Sequence, residues 1–246
     1  MNSDPAAQLR LLDLQSTDTA LAQLAHRRAT LPELGQIAAL RNESDALRSR
    51  RVDGQTALDD LATDQRRMEN DVETVRNRAA RDNDRLQGGG LPAKELESLQ
   101  HELMSLARRQ SDLEDELLEV MERRETSEAE VAEFDRQLAA IAAQLADAEQ
   151  HRDDQFGDID DSVTARRAQR SAIAAELPAD LLALYERVAT ANGGVGAAAL
   201  RQRRCEGCHL ELAGSELTSV RAAAPEAVVR CDNCGRILVR TAESGL

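Results

Sequence analysis

Cys205-Glu206-Gly207-Cys208 and Cys231-Asp232-Asn233-Cys234 form two CxxC pairs separated by 22 residues, and they account for every cysteine in the chain. A CxxC turn sets two sulfurs on one side of a tight loop. Two such turns drawn together supply four thiolates, at about 2.3 Å from the ion, which is the arrangement tetrahedral Zn²⁺ takes. Gly207 inside the first turn and Gly235 directly after the second stand where the backbone has to curl. Coordination by Cys205, Cys208, Cys231 and Cys234 would fill the metal's shell, so one structural zinc is expected rather than a catalytic one. Two disulfides are the alternative and would need an oxidising compartment. A redox CxxC would need a βαβ surround that the flanking sequence lacks. His209, next to Cys208, could replace a ligand, but four cysteines at ligand spacing make it an exposed knuckle residue.

Arginines crowd the same segment. Arg201, Arg203 and Arg204 precede the first knuckle, and Arg230 and Arg236 flank the second. Zinc would bring these charges close, and guanidinium groups can grip phosphate bidentately, so the five are candidate nucleic-acid contacts. The competing reading is that Arg201 and Arg203 occupy the solvent face of a strand. A second basic run, Arg76, Arg78, Arg81, Arg85 and Lys94 against Asp82 and Asp84, lies farther up the chain. Most such runs are solvated helix faces.

The elements that must carry this head are helical. From Leu96 to Ala148 apolar residues recur at alternating steps of three and four, interrupted only at Gln110, Arg124 and Ser127. Leu58, Leu61, Met68, Val72, Val75, Ala79 and Leu86 repeat the spacing before it. A sustained seven-residue repeat buries a narrow seam against a partner helix, the signature of a coiled coil. Gly88-Gly89-Gly90 can end the first arm and Pro92 can open the second, so the arms pair antiparallel within one chain. Paired residue numbers should then sum to 181 or 182, matching Met68 with Leu113 and Leu61 with Val120, and setting Gly54 beside Ser127 and Arg124 opposite Leu58. Pro32 disfavours helix at Leu31 and separates an N-terminal helix over about Pro5 to Thr30. A further break is expected at 153–158, around Gly157. Leu177-Pro178 ends the second arm, and a short amphipathic helix from Pro178 to Val188 packs through Leu181, Leu184, Tyr185 and Val188. The apolar runs Val195–Leu200, Val228-Val229 and Ile237-Leu238-Val239 read as strands beside the knuckles.

The expected architecture is mainly α: a long antiparallel coiled-coil hairpin over residues 1–176 with its turn near 87–92 and breaks near 31–32 and 153–158, a short helix and linker over 177–192, and a small β zinc ribbon over 193–246. Composition agrees. Three aromatic residues (Phe134, Phe156, Tyr185) in a chain 41% hydrophobic and 31% charged indicate thin Leu/Ala-packed helices rather than a broad core. No apolar run reaches membrane-spanning length, and Met1-Asn2-Ser3-Asp4-Pro5 is not a signal peptide, which reads as cytoplasmic. The net charge is -14, whereas the segment from Gly193 onward holds seven arginines against six acids, so the acidity belongs to the helices.

The helical hairpin with Gln87-Gly88-Gly89-Gly90 and Lys94-Glu95-Leu96-Glu97 at its turn, followed by Leu181–Val188 and the two CxxC pairs, resembles the bacterial coiled-coil, four-cysteine zinc-ribbon family across nearly the whole chain. Members of that family are described as predicted nucleic-acid-binding proteins. Flagellum-associated relatives serve as sigma-factor chaperones and bind a flagellin messenger RNA, and a chlamydial relative assists type III secretion. The resemblance implies an adaptor for RNA, ahead of DNA, or for protein, with the four cysteines as zinc ligands.

Two function classes follow: nucleic-acid binding through the ribbon, and a protein–protein adaptor or chaperone working through the arms. An enzyme is not expected. No phosphate loop or nucleophile elbow appears, and His26, His101, His151 and His209 are dispersed. Adjacent acids such as Asp59-Asp60 point in different directions on a helix. Neither a small-molecule substrate nor a membrane partner is expected.

Overall fold

A seven-residue apolar repeat is satisfied only by a second helix, and the hairpin turn supplies one. The structure, a computed structural model, describes residues 1–246. Its elements are α1 (Pro5–Ala29), α2 (Pro32–Gln87), α3 (Ala93–Glu176), α4 (Ala179–Ala191), β1 (Ala197–Arg201), β2 (Arg204–Cys205), α5 (Gly214–Ala222), β3 (Val229–Arg230) and β4 (Ile237–Arg240). They form two compact units, Gly35–Glu149 and Met1–Leu34 with Gln150–Leu246.

In the first unit α2 and α3 run antiparallel. Gly89 and Gly90 take left-handed φ values of 68° and 81° at the turn, a conformation that costs glycine nothing. The Pro92 carbonyl receives the first amides of α3, from Glu95 at 2.9 Å and Leu96 at 3.1 Å. Leu40, Leu47, Leu61, Val72, Leu99, Leu113, Val120, Val131, Ile141 and Ala148 are buried along the seam, as the repeat requires.

The register differs from the expected one by a helical turn. A Cβ at Gly54 would stand 3.3 Å from Val131 Cγ2 and 3.6 Å from Phe134 Cε2, while Ser127 lines a groove with Ala57 and Leu61. A seven-residue repeat fits apolar to apolar in both registers, so other layers choose between them. The gap left by Gly54 is filled by Val131 and Phe134 instead of meeting the small Ser127. Arg124 donates to Gln65 Oε1 at 3.0 Å, pairing two seam interruptions in one polar layer rather than setting Arg124 opposite Leu58. Arg124 is half-exposed and also pairs with Glu128 at 2.8 Å on its own helix, so this layer keeps the guanidinium hydrogen-bonded and partly hydrated instead of packed on leucine.

In the second unit Asp4 caps α1 by accepting from the Ala6 amide at 2.7 Å, and Pro5 opens the helix. The break expected at 153–158 is absent; α3 is continuous there. A single glycine costs a helix about 1 kcal/mol, and Gly157 is offset by packing on α1. Ile159 is buried, the Arg28 guanidinium lies 4.1 Å from the Phe156 ring centroid, and Arg27 reaches Gln155 at 2.6 Å.

Strand order is β2-β1-β4-β3, with β1 and β4 parallel and the outer pairs antiparallel. Both faces of this sheet are covered. Ala197, Ile237 and Val239 pack with Leu11, Leu14, Ile173, Leu181, Tyr185 and Val188. Ala198, Leu200 and Leu238 face Cys205, Cys231, Leu212 and Val220 on the other side. Two covered faces explain why Ile237, Leu238 and Val239 are all buried without alternation.

Candidate metal centre

The sheet's outer face is where the knuckles converge. β1 reverses into β2 through Gln202 and Arg203, at φ 47° and 64°, a two-residue hairpin built from residues that ordinarily avoid the left-handed region. C-terminal carbonyls hold it there: the Gln202 amide donates to Glu243 O at 2.8 Å and the Arg203 amide to Ser244 O at 2.9 Å. Cys205 follows at once.

The two knuckles repeat one backbone pattern. The His209 amide donates to Cys205 O at 2.7 Å, and the Gly235 amide to Cys231 O at 2.8 Å. The residue after each second cysteine is left-handed, His209 at φ 60° and Gly235 at φ 71°. His209 is therefore the positional counterpart of Gly235, and its side chain is exposed. Gly207 has a different purpose: a Cβ there would come within 2.6 Å of Arg236 Cδ and 3.0 Å of Ala198 Cβ, so its bare backbone gives Arg236 passage.

All four Sγ atoms lie within 4.8 Å of one another, with Cys205 to Cys234 and Cys208 to Cys231 each 3.9 Å apart. Four sulfurs about 2.3 Å from a central Zn²⁺ stand about 3.8 Å apart at the edges of a tetrahedron, so the donor set fits the ion. Without the ion the thiols are unevenly disposed. Burial pushes Cys205 up to about 12 and also raises Cys231. Burial acts in the same direction on Cys234, but the Arg236 amide and guanidinium, with Cys231 and Cys208, outweigh it and bring that thiol down to about 7. A divalent cation removes this disparity by taking all four as thiolates.

Supporting residues that the spacing does not reveal surround the cysteines. Glu216, buried on α5, accepts from the Asp232 amide at 2.8 Å and so props the second knuckle. Arg240 donates to the carbonyls of Ala223, Ala224, Pro225 and Ala227 at 2.7–2.9 Å, tying down the segment before β3. Helix α5 itself lacks a sequence signal, having an alanine at its N-cap with no side-chain bond. A glutamate in a short polar segment looks like any solvated acid until the fold buries it.

The five arginines are not equivalent. Arg201 pairs with Glu243 at 2.6 Å. Arg236 turns inward, donating to Val195 O and Asn192 O at 3.2 Å each. Arg230 reaches Gly235 O at 2.7 Å and Arg203 reaches Gly245 O at 3.3 Å, both from exposed positions. Arg204 is exposed beside Cys205. Arg201, Arg203, Arg204 and Arg230 thus all stand at exposed positions, Arg201 in a surface ion pair with Glu243, whereas Arg236 belongs to the knuckle.

The chain matches the CT398-like coiled coil hairpin domain over residues 14–193 and a C4-type zinc ribbon domain over residues 204–238, a span holding all four cysteines. It belongs to the CT398-like coiled coil hairpin family. An uncharacterized Mycobacterium tuberculosis protein is 40% identical over 240 residues, covering 98% of each chain. Within this CT398-like family, a solved structure from Mycobacterium smegmatis superposes with a TM-score of 0.86 at 36% identity, covering 98% of this chain and all of that one. The structure of CT398 from Chlamydia trachomatis, at 17% identity and a TM-score of 0.70 over 96% and 98% of the two chains, shares the fold. No helix of this CT398-like protein is long and apolar enough to cross a membrane.

Proposed function

We propose that this protein is a non-enzymatic adaptor that binds another protein through its coiled-coil arms, with one structural zinc holding the ribbon together in the reducing cytoplasm. The observation that carries this reading is the disposition of the ribbon arginines. Arg201 shares its exposed position with the carboxylate of Glu243, and Arg236 is turned inward onto backbone carbonyls. The remaining three stand among exposed Glu206, Glu211 and Asp232, in a segment where six acids nearly balance seven arginines. Polyanion binding rests on concentrated, uncompensated positive charge, and this head does not concentrate it. Four thiolates on one zinc leave no open coordination position for a substrate or water.

A second reading keeps nucleic acid, RNA ahead of DNA, as the ligand of Arg203, Arg204 and Arg230, whose guanidinium groups remain accessible. Affinity recovery of the zinc-loaded chain from its own cells, with and without nuclease, separates the two. Adaptor binding predicts a protein partner that survives nuclease and is retained by Arg203→Glu/Arg204→Glu. Recovery that disappears with nuclease and with the double substitution would replace the adaptor reading by the nucleic-acid one.

A further inference from the structure

The outer face of α3 carries an apolar stripe that the hairpin seam does not use. Met104, Leu118 and Met121 are 52%, 57% and 41% exposed. With Ala107 and Ser111 they follow steps of three, four and seven residues, which places them on one stripe, roughly a third of a turn around the helix from the seam residues Leu99, Leu113 and Val120. Methionine and leucine exposed together along one helix face are the usual content of a helix-docking surface rather than of a solvated one.

This stripe is self-complementary. Lay two copies of α3 antiparallel about a twofold axis between Asp112 and Leu113, and Met104 meets Met121, Ala107 meets Leu118, and Ser111 meets Glu114. Along the flank the same operation sets Arg108 against Asp115 and His101 against Glu122, each pair occurring twice. Glu114 enters the contact already compensated, held by Arg76 at 2.6 Å and Gln110 at 2.7 Å. An isologous interface must present such a reversal of its own pattern, since each residue contacts the mirror position in its copy.

We propose that this face is a self-association surface on which a second copy of the chain docks antiparallel, centred between Asp112 and Leu113. The charge pattern argues for a second copy over an unrelated helix, because one twofold operation satisfies the apolar row and its flanking charges together. The contact is bounded. Met104 to Met121 spans about 26 Å along the helix, and beyond it Glu97 would face Glu128. A patch this short lies at the small end of specific interfaces, so the dimer forms in the micromolar range and dissociates on dilution.

Sedimentation velocity of the zinc-loaded full chain, from low to high micromolar concentration, tests it. The weight-average sedimentation coefficient should climb from the monomer value toward that of a dimer. Leu118→Lys should hold the protein monomeric throughout. Arg108→Asp and Asp115→Arg should each weaken association by about tenfold, and the two combined should restore it, because the swapped charges again face each other. These positions are exposed, so helicity by circular dichroism should not change. A chain that stays monomeric at every concentration would overturn the proposal, as would a dimer indifferent to Leu118→Lys or a charge reversal that fails to rescue.

Discussion

Residues 209 and 235 hold equivalent places in the two knuckles yet are histidine and glycine, which makes them a matched test of how the metal site is built. Each is left-handed and each donates its amide to the first cysteine's carbonyl four residues back. A residue with a Cβ in that conformation costs about 1–2 kcal/mol. His209→Gly removes this strain and gives back part of it through the greater freedom of glycine in the unfolded chain, about 0.5–1 kcal/mol. The net gain is therefore about 0.5–1 kcal/mol. Gly235→Ala runs the other way: the strain appears, and the new Cβ stands 3.1 Å from Arg230 Nη2, a flexible end that can move aside. After the same offset from glycine's freedom in the unfolded chain, a loss of about 0.5–1 kcal/mol is expected. Because the knuckle conformation is the zinc-binding conformation, both changes should appear in zinc affinity measured by competition with a chromogenic chelator. Roughly 1.4 kcal/mol corresponds to tenfold. His209→Gly should bind zinc several-fold more tightly, Gly235→Ala several-fold more weakly, and His209→Ala about as the native chain does, since the imidazole is not a ligand. If His209→Ala and His209→Gly both lost zinc, the histidine would be coordinating and the backbone argument would be wrong.

Other outcomes follow from the same geometry. Metal analysis of the purified chain should find about one zinc, and Cys205→Ser or Cys231→Ser should abolish it. The bound thiolates have proton affinities held far below those of free cysteine, so zinc's contribution to stability is present above the ordinary thiol range and is lost as pH falls; a pH titration with a zinc indicator should show release on acidification only. Tyr185, the single tyrosine, is raised by burial and by its bond to Asp18 at 2.8 Å. Its folded-state value lies above the unfolded one, so it stabilises the fold below about pH 10 and that stability is lost as pH rises. Tyrosinate absorbance should appear only together with alkaline loss of helicity, and a separate earlier ionisation would contradict the buried network. In the hairpin, Gln65→Leu removes one of the partners of the half-exposed Arg124, which keeps Glu128 at 2.8 Å, and should lower stability by about 0.5–1.5 kcal/mol, while Gln65→Leu with Arg124→Leu should recover most of it. Failure of the double variant to recover in thermal unfolding would argue against the Gln65–Arg124 layer. Glu216→Ala removes the acceptor of the Asp232 amide and should weaken zinc binding by about fivefold or more, from a loss of about 1–3 kcal/mol.

Local chemistry was legible in the residue order, and long-range choice among equivalents was not. Cysteine spacing names the metal donors because the CxxC loop is closed by its own backbone. The three-four apolar rhythm names a hairpin because the glycine-rich turn returns the chain on itself, and Pro32 and Pro178 mark helix ends by removing donors. Register is another matter: an apolar repeat matches itself after every turn, and only the side chains filling Gly54's gap and the meeting of Gln65 with Arg124 decide between neighbouring settings. Continuity of α3 through Gly157 likewise depends on Arg28, Phe156 and Ile159 packing in space. The five arginines looked alike as letters, but partners distant in sequence separate them: Glu243 compensates Arg201, while the Asn192 and Val195 carbonyls draw Arg236 inward. Glu216 became part of the metal site only because α5 folds it against the second knuckle. Spacing determines what neighbours in the chain can do, while burial and pairing are properties of neighbours in space.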